Sequence, residues 1–436
     1  MSEKVNIFWF RRDLRLHDNV GFSKALSGKF PVLPIFIFDS EIIDKLPKED
    51  ARVTFICETL QNLRSELNNH HSSLAIYYGN PQDVFEKILS VFEVQNVITN
   101  HDYEPYARER DASISEFLTK HDIGFYTFKD QIIFEKDDIL KDDGKPYVVY
   151  TPYSRKWLAK FDAIKDLKEY SFTSKVSQLF KFEEAANVTL DELGFTKSTI
   201  KVKPYDISDT TISDYYNTRN FPANTQGTSH VSPHLRFGTV SVRALVKKAL
   251  QAKNNTYLKE LIWREFFMQI LWHFPETVKK AFKPKYDRIE WRNNEQEFEA
   301  WKNGKTGYPF VDAGMRELNN TGYMHNRVRM IVASFLCKHL LIDWRWGEAY
   351  FAEKLLDYEQ SSNIGNWQWA AGSGVDAAPY FRIFNPTTQI DKFDKNRNYI
   401  NKWIPEINTD AYPEPIVDHK EARERCLVTY KSALDN

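Results

Sequence analysis

Short apolar runs alternate with amphipathic stretches over the first 130 residues, and this alternation constrains the fold most strongly. The apolar runs are rich in Val, Ile, Phe and Tyr, which is typical of buried parallel strands. The intervening stretches repeat apolar residues at helical spacing. Strands that alternate with helices predict a doubly wound α/β domain with a Rossmann-like parallel sheet. We predict strands over 5–10, 32–38, 74–78, 94–99 and 124–128, and helices over 52–67, 83–92 and 109–118.

The pattern changes near residue 130. Residues 131–205 contain charged and Ser/Thr/Lys-rich tracts, which indicate a linker. Beyond residue 206 the strand-like runs stop and apolar residues recur at helical spacing. We therefore predict an α/β domain over 1–130, an interdomain linker over 131–205 and a larger all-helical domain over 206–436. The clearest helices of the last domain are predicted over 243–252, 257–274, 311–318, 327–341 and 347–356.

Charge and tryptophan are unevenly distributed along the chain. The net charge is only −1, yet residues 228–345 contain 20 Lys and Arg against 11 Asp and Glu, a net of +9, and the remainder carries −10. A basic helical region indicates contact with a polyanion, although solvated helix faces explain such a count equally well. Nine of the 11 tryptophans lie between Trp263 and Trp403, so this half of the chain uses indole rings for packing or for chemistry.

Several familiar catalytic patterns are absent from the sequence. No Gly-x-Gly-x-x-Gly follows the first strand, no Gly-x-Ser-x-Gly occurs, and the histidines have no metal-ligand spacing. Asn303–Thr306 resembles the end of a phosphate-binding loop, but Glu299 stands where that loop requires glycine. We therefore expect no metal and no conventional nucleophile.

The chain also lacks features of secreted and membrane proteins. No apolar run approaches the roughly 20 residues of a membrane-spanning helix. Residues 1–4 lead directly into the first strand, so we expect no signal peptide. Cys57, Cys337 and Cys426 are too few and too scattered for a disulfide framework or a four-cysteine metal site. A reduced, cytoplasmic location is expected.

Two motifs begin or line predicted helices of the basic region. Thr228–Ser232 offers hydroxyl groups before a helix, with Ser232 as N-cap and Pro233 at the first helical position. Such a helix start suits a phosphate, although capping alone is the commoner reason for the pattern. Glu260, Trp263 and Phe267 share a helix face that suits a flat heterocycle, although a core indole beside a solvated carboxylate is the simpler interpretation.

Polar residues gather in two further places in the helical region. Asn326 and Met330 share one helical face, and the run 357–369 is polar before it ends in Trp367 and Trp369. Polar groups inside an apolar bundle need hydrogen-bonding partners. A buried polar cofactor would supply them.

Eight stretches of the chain match the motifs of one known family. They are Phe8–Arg15, Asp18–Asn19, Gly227–Ser229, Trp263–Phe266, Gly304–Pro309, His325–Arg327, Asn366–Ala370 and Asp376–Pro386. With these motifs the chain resembles the photolyase/cryptochrome flavoproteins over nearly its whole length. That family combines an N-terminal α/β antenna-chromophore domain with a helical domain that binds FAD and DNA.

Within the family the sequence is most similar to class I-type cyclobutane pyrimidine dimer photolyases, which are carbon–carbon lyases. The resemblance implies that UV-damaged DNA is the partner and that a pyrimidine dimer is flipped into the flavin pocket. It implies that excited reduced FAD donates an electron, which returns after the dimer splits. It also implies a monomer.

The resemblance assigns cofactor contacts residue by residue. Asn363 is expected near flavin N5, and Arg329 and Asp357 are expected to pair beside the ring system. Glu359 stands where close relatives often have Asp, so the carboxylate is retained with a different reach. The implied cofactor-binding residues are Tyr215, Thr228, Ser229, His230, Val231, Ser232, Arg264, Asn326, Arg329, Asp357, Glu359 and Asn363.

The resemblance also implies substrate and electron-transfer residues. Trp263 and Trp369 are expected to flank the dimer, and Glu260 to bond the pyrimidine edge; stacking on a base is worth about 1–3 kcal/mol. The implied DNA-binding residues are Arg219, Glu260, Trp263, Asn326, Arg327, Met330, Trp369, Arg382 and Gln389. The implied catalytic residues are Glu260, Asn363 and an electron-hopping chain of Trp367, Trp344 and Trp291.

A second, antenna chromophore is also expected. In folate-binding relatives a glutamate of the α/β domain holds the folate, and Ala107 occupies that position here. The run Tyr103–Tyr106 is closer to deazaflavin- or FMN-type antenna sites, so these two are favoured over folate and the identity is left open.

Four alternative functions remain open: a blue-light cryptochrome, a (6-4) photolyase, a DASH-type protein acting on single strands, and an FAD electron-transfer protein without a DNA role. Asn363 favours repair, since plant cryptochromes carry Asp and animal ones Cys at the matching position. The (6-4) branch usually has a histidine pair near the positions of Asn326 and Met330, and this chain has none there.

Overall fold

The computed structural model describes residues 3–182 and 185–435, which form two compact units. The first unit comprises Met1–Glu135, Lys160–Tyr205 and Val231–Leu250. The second comprises Lys136–Ala159, Asp206–His230 and Gln251–Asn436. The three domain ranges expected from the sequence stay a prediction.

The first unit is built on a five-stranded parallel sheet, so the predicted α/β fold is confirmed. Its strand order is β3-β2-β1-β4-β5. Strands are therefore added outwards on one side of β1 as far as β3 and then on its other side from β4. Ligands of such sheets commonly bind at this switch point between β1 and β4. The strands are β1 (Lys4–Phe10), β2 (Val32–Asp39), β3 (Ala75–Gly79), β4 (Glu93–Asn100) and β5 (Gly124–Phe128).

Alternate residues of β1 pack on opposite faces of the sheet. Ile7 and Trp9 belong to one apolar cluster, and Phe8 and Phe10 belong to another. Both faces are therefore covered, which explains why the strands are apolar without alternation. The helices of this unit are Val20–Ala25, Ser40–Ile43, Ala51–Asn68, Pro81–Val91, Pro105–Thr119, Ala163–Asp166, Ser232–Phe237 and Val242–Leu250, with a 3₁₀ turn at Thr173–Gln178.

The regular elements of the second unit are helices in the part of the chain that the structure describes, apart from one isolated β-bridge between Leu140 and Pro146. The predicted helical domain is therefore confirmed. One extensive apolar cluster of this unit includes the buried residues Trp301, Phe310, Leu336 and Trp367. Its α-helices are Tyr150–Lys160, Asp209–Thr218, Thr256–His273, Glu295–Lys302, Pro309–Thr321, Asn326–Ser334, Trp344–Lys354, Gln360–Ala371, Pro386–Phe393, Asn398–Trp403 and His419–Asp435. Shorter turns are 3₁₀ at Pro275–Val278 and Pro284–Arg288, and π-helical at Phe335–His339.

Three local expectations differ from the structure. The cap expected at Ser232 is wrong: the short helix begins at Ser232, and its N-cap Val231 has no side chain able to accept a bond. The polar run 357–369, which lies outside the helices predicted from the sequence, is mostly the helix Gln360–Ala371, because one of its faces is apolar at Ile364, Trp367 and Ala371. The segment expected to be a linker contains the helix Tyr150–Lys160.

Residues 3–182 and 185–435 contain neither a helix suited to span a membrane nor a cluster of metal-ligating side chains. No helix there combines the length and apolar character required to cross a bilayer. Within the same residues no group of three or more His, Cys, Asp and Glu side chains is placed to hold a metal ion.

Gly347 allows the helices Trp344–Lys354 and Gln360–Ala371 to approach each other closely. A Cβ atom at Gly347 would lie 2.1 Å from the Trp367 ring and 2.6 Å from Leu336. Both neighbours are buried in the core, so an added methyl group would meet packed side chains on two sides. The glycine therefore fixes how near the Trp367 indole lies to the neighbouring helix.

We predict that Gly347→Ala lowers the free energy of unfolding by about 1–3 kcal/mol, since overpacking a filled core costs that much. Urea unfolding followed by circular dichroism measures the change. Glu353→Ala, at an exposed position of the same helix, is the matched control and should change stability by less than about 0.5 kcal/mol. Equal stability of Gly347→Ala and the wild type would contradict the packing argument.

Candidate active site

A cavity of about 100 Å³ lies in the second unit beside the helices Asn326–Ser334 and Gln360–Ala371. Eight residues expected at the site line it: Asn326, Arg329, Met330, Asp357, Glu359, Asn363, Trp367 and Trp369. The sequence predictions missed the other lining residues, which are Ala333, Phe351, Leu355, Tyr358, Ser362, Asn366 and Ala370.

A partly buried ion pair fixes one wall of the cavity. Arg329 Nη2 donates to Asp357 Oδ2 at 2.9 Å, and Arg329 Nε donates to the Met324 carbonyl at 2.7 Å. Burial alone would lower the pKa of Arg329, but Asp357 raises it above its ordinary value. Arg329 therefore stays cationic and is held at two of its nitrogens, as the expected pairing with Asp357 requires.

Asn363 is oriented by a neighbouring glutamate that sequence reasoning missed. Asn363 Nδ2 donates to Glu348 Oε1 at 2.9 Å and to the Glu348 carbonyl at 3.1 Å. Because these bonds use the amide nitrogen, the side-chain oxygen is the atom that Asn363 has left to offer to a donor in the cavity. Burial raises the pKa of Glu348 above its ordinary 4.5.

Glu359 is the N-cap of the helix Gln360–Ala371. Its Oε2 accepts from the Ser362 amide at 3.0 Å and from the Ser361 hydroxyl. A carboxylate at a helix N-terminus satisfies orphan N–H groups and complements the helix dipole. The structure therefore gives Glu359 a structural role at the cavity wall in addition to the contact expected from the resemblance.

Hydroxyl groups surround the segment Thr228–His230 of the second unit. The Tyr257 hydroxyl donates to Ser229 Oγ at 2.9 Å, and the Asp206 amide donates to the Ser229 carbonyl at 2.9 Å. His230 has a left-handed backbone (φ 51°), and its ring lies 5.3 Å from that of Tyr323. Tyr215 packs on Tyr257 at 5.2 Å. The expected residues Tyr215, Thr228, Ser229 and His230 thus stand together.

Three more expected cofactor residues have different surroundings. Val231 and Ser232 belong to the first unit, where they begin the short helix. Arg264 is half-buried in the middle of the helix Thr256–His273, next to the buried Glu265. They do not line the cavity described above.

The same long helix presents the side chains expected to meet a substrate. Glu260 forms a close ion pair with Arg219. Trp263 stacks on Phe267, with ring centroids 5.6 Å apart, which confirms the shared face. Arg219 also lies over the Tyr215 ring at 5.3 Å. Glu260 and Arg219 are therefore neighbours, a contact the sequence did not predict.

Arg327 is held by several partners. Its Nη2 donates to Asn220 Oδ1 at 2.6 Å, its Nη1 lies 3.5 Å from Met330 Sδ, and its guanidinium lies 4.5 Å from the Phe393 ring centre. Arg382 is exposed and lies over Phe384 at 5.6 Å. Gln389 is half-buried on the helix Pro386–Phe393.

Three tryptophans expected to relay electrons share one apolar cluster. Trp367 and Trp344 are buried in it, and Trp291 packs against its edge. Trp367 lines the cavity and contacts Phe351 at 5.0 Å. Trp291 is half-buried and meets Tyr430 edge-on at 6.0 Å. The cluster therefore runs from the cavity wall to a partly exposed indole.

We predict that Glu348→Gln becomes more stable relative to the wild type as pH rises. Because burial raises the pKa of Glu348, the folded protein retains a proton that the unfolded chain has released. Wild-type stability therefore contains a contribution that is present below the ordinary pKa of 4.5 and is lost as pH rises through the raised value. Glutamine keeps the hydrogen bond to Asn363 without that titration.

Urea unfolding of both proteins at pH 4, 5, 6 and 7 measures this difference. Glu353→Gln, on the exposed face of the same helix, is the matched control and should follow the wild type in parallel. A constant stability difference between Glu348→Gln and the wild type over this pH range would contradict the titration.

Comparison with known proteins agrees with this geometry. Residues 257–410 match the FAD binding domain of DNA photolyase, and residues 6–171 match the family described as DNA photolyase. The chain is 36% identical to a deoxyribodipyrimidine photo-lyase of Alkalihalophilus pseudofirmus, over 99% of this chain and 98% of that one.

Solved structures give the same result. A bacterial class III photolyase from Agrobacterium tumefaciens is similar with a TM-score of 0.88 and 33% identity, over 100% of this chain and 98% of that one. An archaeal photolyase from Sulfolobus tokodaii with two FAD molecules is similar with a TM-score of 0.83 and 33% identity, over 98% of this chain and 100% of that one. With its sequence matched over its full length and its cavity lined by the expected residues, the chain belongs to the photolyase/cryptochrome family and contains that family's FAD-binding domain.

Proposed function

We propose that this protein repairs cyclobutane pyrimidine dimers in DNA with light, as a deoxyribodipyrimidine photo-lyase. The observation that carries the proposal is the cavity, which combines residues expected beside a flavin with residues expected beside a dimer. Arg329, Asp357 and Asn363 belong to the first group, and Met330 and Trp369 to the second. A cofactor and a substrate bound there would be neighbours, as direct electron transfer requires.

The donor set fits a reduced flavin. The Asn363 amide nitrogen is committed to Glu348, so its oxygen is suited to accept from the N5–H of the reduced ring. The cationic Arg329, held by Asp357, would stabilise negative charge on the ring system of a bound flavin. When bound, FAD supplies the electron that light transfers to the dimer and that returns after the two carbon–carbon bonds break. Tyr215, Thr228–Ser232 and Arg264 are proposed to hold the rest of FAD.

The protein's own groups hold the dimer in place. Trp263 and Trp369 offer aromatic surfaces for the flipped bases, and Glu260 offers a carboxylate to the pyrimidine edge. A dimer stacks poorly in duplex DNA, so flipping it costs less than flipping an intact base. Asn326 and Met330 complete the pocket. We propose that Arg219, Arg327, Arg382 and Gln389 contact the DNA strand.

A second chromophore of deazaflavin or FMN type is proposed for the first unit. Charged and aromatic groups crowd the carboxyl ends of its strands: Arg12 pairs with Asp102 at 3.1 Å and with Glu104 at 3.0 Å. The Tyr106 hydroxyl donates to Asp39 at 2.7 Å. Ala107 is buried and offers no carboxylate for folate.

Three finer assignments from the sequence stay part of the proposal. They are the domain division at 1–130, 131–205 and 206–436, the cytoplasmic location and the monomeric state. The class I-type assignment stays a prediction, since a class III photolyase is among the similar structures.

The deciding experiment is repair of an oligonucleotide that contains one cyclobutane thymine dimer, by chemically reduced protein under blue light. We expect restored thymines in the light and none in the dark. If illumination of the reduced protein with the oligonucleotide restored no thymines, dimer repair would be ruled out. The same assay with a (6-4) lesion and with single-stranded substrate separates the alternatives.

We predict that Trp367→Phe slows photoreduction of bound FAD strongly, because phenylalanine is much harder to oxidise than tryptophan. Repair by chemically reduced protein should stay close to wild type, since the relay is then bypassed. Flavin absorbance during blue illumination measures the first rate, and the oligonucleotide assay measures the second.

Trp301→Phe is the matched control, because Trp301 is a buried indole 6.2 Å from Trp367 that is not assigned to the relay. It should leave the photoreduction rate near that of the wild type. Equal loss of photoreduction and repair in Trp367→Phe would contradict the relay role.

A further inference from the structure

Tyr150 makes the closest ring contact with Trp263. The two ring centroids are 3.6 Å apart and the planes differ by 6°, so the rings lie face to face. The other neighbours of Trp263 are farther and more inclined: Phe267 at 5.6 Å and 27°, and Phe266 at 5.6 Å and 82°. One face of the indole is therefore backed by a phenol ring.

Tyr150 is itself held at both ends. Its hydroxyl donates to the Lys259 carbonyl at 2.8 Å, and its backbone amide donates to Asp376 Oδ2 at 3.3 Å. The ring is buried and meets Phe266 edge-on at 6.0 Å. A side chain fixed in this way keeps the plane of the ring stacked on it fixed as well.

Burial and a neighbouring carboxylate keep the Tyr150 hydroxyl protonated. Burial and the neighbouring Glu260 raise the pKa of Tyr150 above its ordinary value of 10, although Arg219 opposes this. The phenol therefore keeps its donor hydrogen, and its bond to Lys259, over the physiological range. Tyr150 thus belongs to the same local group as Arg219, Glu260 and Trp263.

We propose that Tyr150 is a positioning residue for damaged DNA: it fixes the Trp263 indole so that the part not covered by Tyr150 is ready to stack on a flipped pyrimidine. Trp263 is partly exposed, so part of the side chain is accessible to a ligand. An indole ordered before binding spares the complex the entropic cost of ordering it. This proposal rests on the proposed repair function.

The test measures dissociation constants for a dimer-containing and an undamaged oligonucleotide in four proteins: wild type, Tyr150→Leu, Tyr150→Phe and Tyr153→Leu. Tyr153 is the matched control, because it lies on the same helix and packs on Phe266 at 5.2 Å. Leucine fills space without an aromatic face, whereas phenylalanine keeps the face and loses only the hydroxyl. Tyr150→Met provides a second apolar variant should Tyr150→Leu fail to fold.

We expect Tyr150→Leu to weaken binding of the damaged oligonucleotide by about two- to tenfold, the range of aromatic pair energies. Binding of undamaged DNA should not change, and light-saturated turnover should change less than KM. Tyr150→Phe keeps the stacking face but loses the bond to Lys259, so its affinity for the damaged oligonucleotide should lie between those of Tyr150→Leu and the wild type. Tyr153→Leu should keep the wild-type preference. In a Trp263→Ala background, Tyr150→Leu should have no further effect.

Several outcomes would overturn the proposal. They include an equal loss of affinity for both oligonucleotides, an undiminished effect of Tyr150→Leu in the Trp263→Ala background, and a Tyr150→Phe variant that binds damaged DNA as weakly as Tyr150→Leu. The repair assay with wild-type protein distinguishes a failure of the positioning role from a failure of the proposed repair function. Repair by the wild type with no effect of Tyr150→Leu refutes the positioning role alone, whereas a wild type that neither repairs dimers nor prefers damaged DNA refutes the proposed function and this role with it.

Discussion

The ion pair between Arg329 and Asp357 is the interaction on which the site depends. It joins the helix Asn326–Ser334 to the residues that precede the helix Gln360–Ala371, and these two helices supply most of the cavity wall. Removing charges from water is costly, and Asp357 is nearly buried while Arg329 is partly exposed, so the pair by itself is weak evidence for stability. Its value lies in holding a cation at a fixed place beside the cavity, where it can compensate negative charge on a bound group. Two further carboxylates support the cavity wall. Glu348 accepts a hydrogen bond from Asn363, and Glu359 caps the helix Gln360–Ala371.

Much of the fold could be predicted from the sequence because its signals are local. The five strands are continuous apolar runs, and the structure places each within a residue or two of the predicted bounds, as at Val32–Asp39 and Gly124–Phe128. The helix Gln360–Ala371 was missed because Ser361, Ser362 and Asn363 make its first turn polar, and only its far face, at Ile364 and Trp367, is apolar. The cap at Ser232 failed for a related reason: propensity fixes which residues suit a helix start but not the exact first residue.

The site was predicted in a different way. Motif resemblance placed Asn326, Met330 and Trp369 at one pocket although they are far apart in the sequence, and the structure lines one cavity with them. Their supporting residues carried no such signal. Glu348 touches Asn363 from a neighbouring helix, and Tyr150 reaches Trp263 across more than a hundred residues of chain within a segment expected to be a linker. Such contacts arise from tertiary packing, which neither periodicity nor spacing encodes.

The ion pair of Arg219 and Glu260 connects the two sides of the proposed DNA interface. Glu260 is a carboxylate in the basic part of the chain, where it would oppose a phosphate backbone unless a cation stood beside it. Arg219 supplies that cation, so the carboxylate expected at the base edge does not repel the strand that carries the base. In the proposed DNA complex the pairing would have a consequence in the other direction: a phosphate that drew Arg219 away would leave Glu260 with an uncompensated charge, which a pyrimidine N–H would stabilise by donating to it. Under the proposed function, backbone contact and base contact at this place would therefore depend on one another through a single pair of side chains.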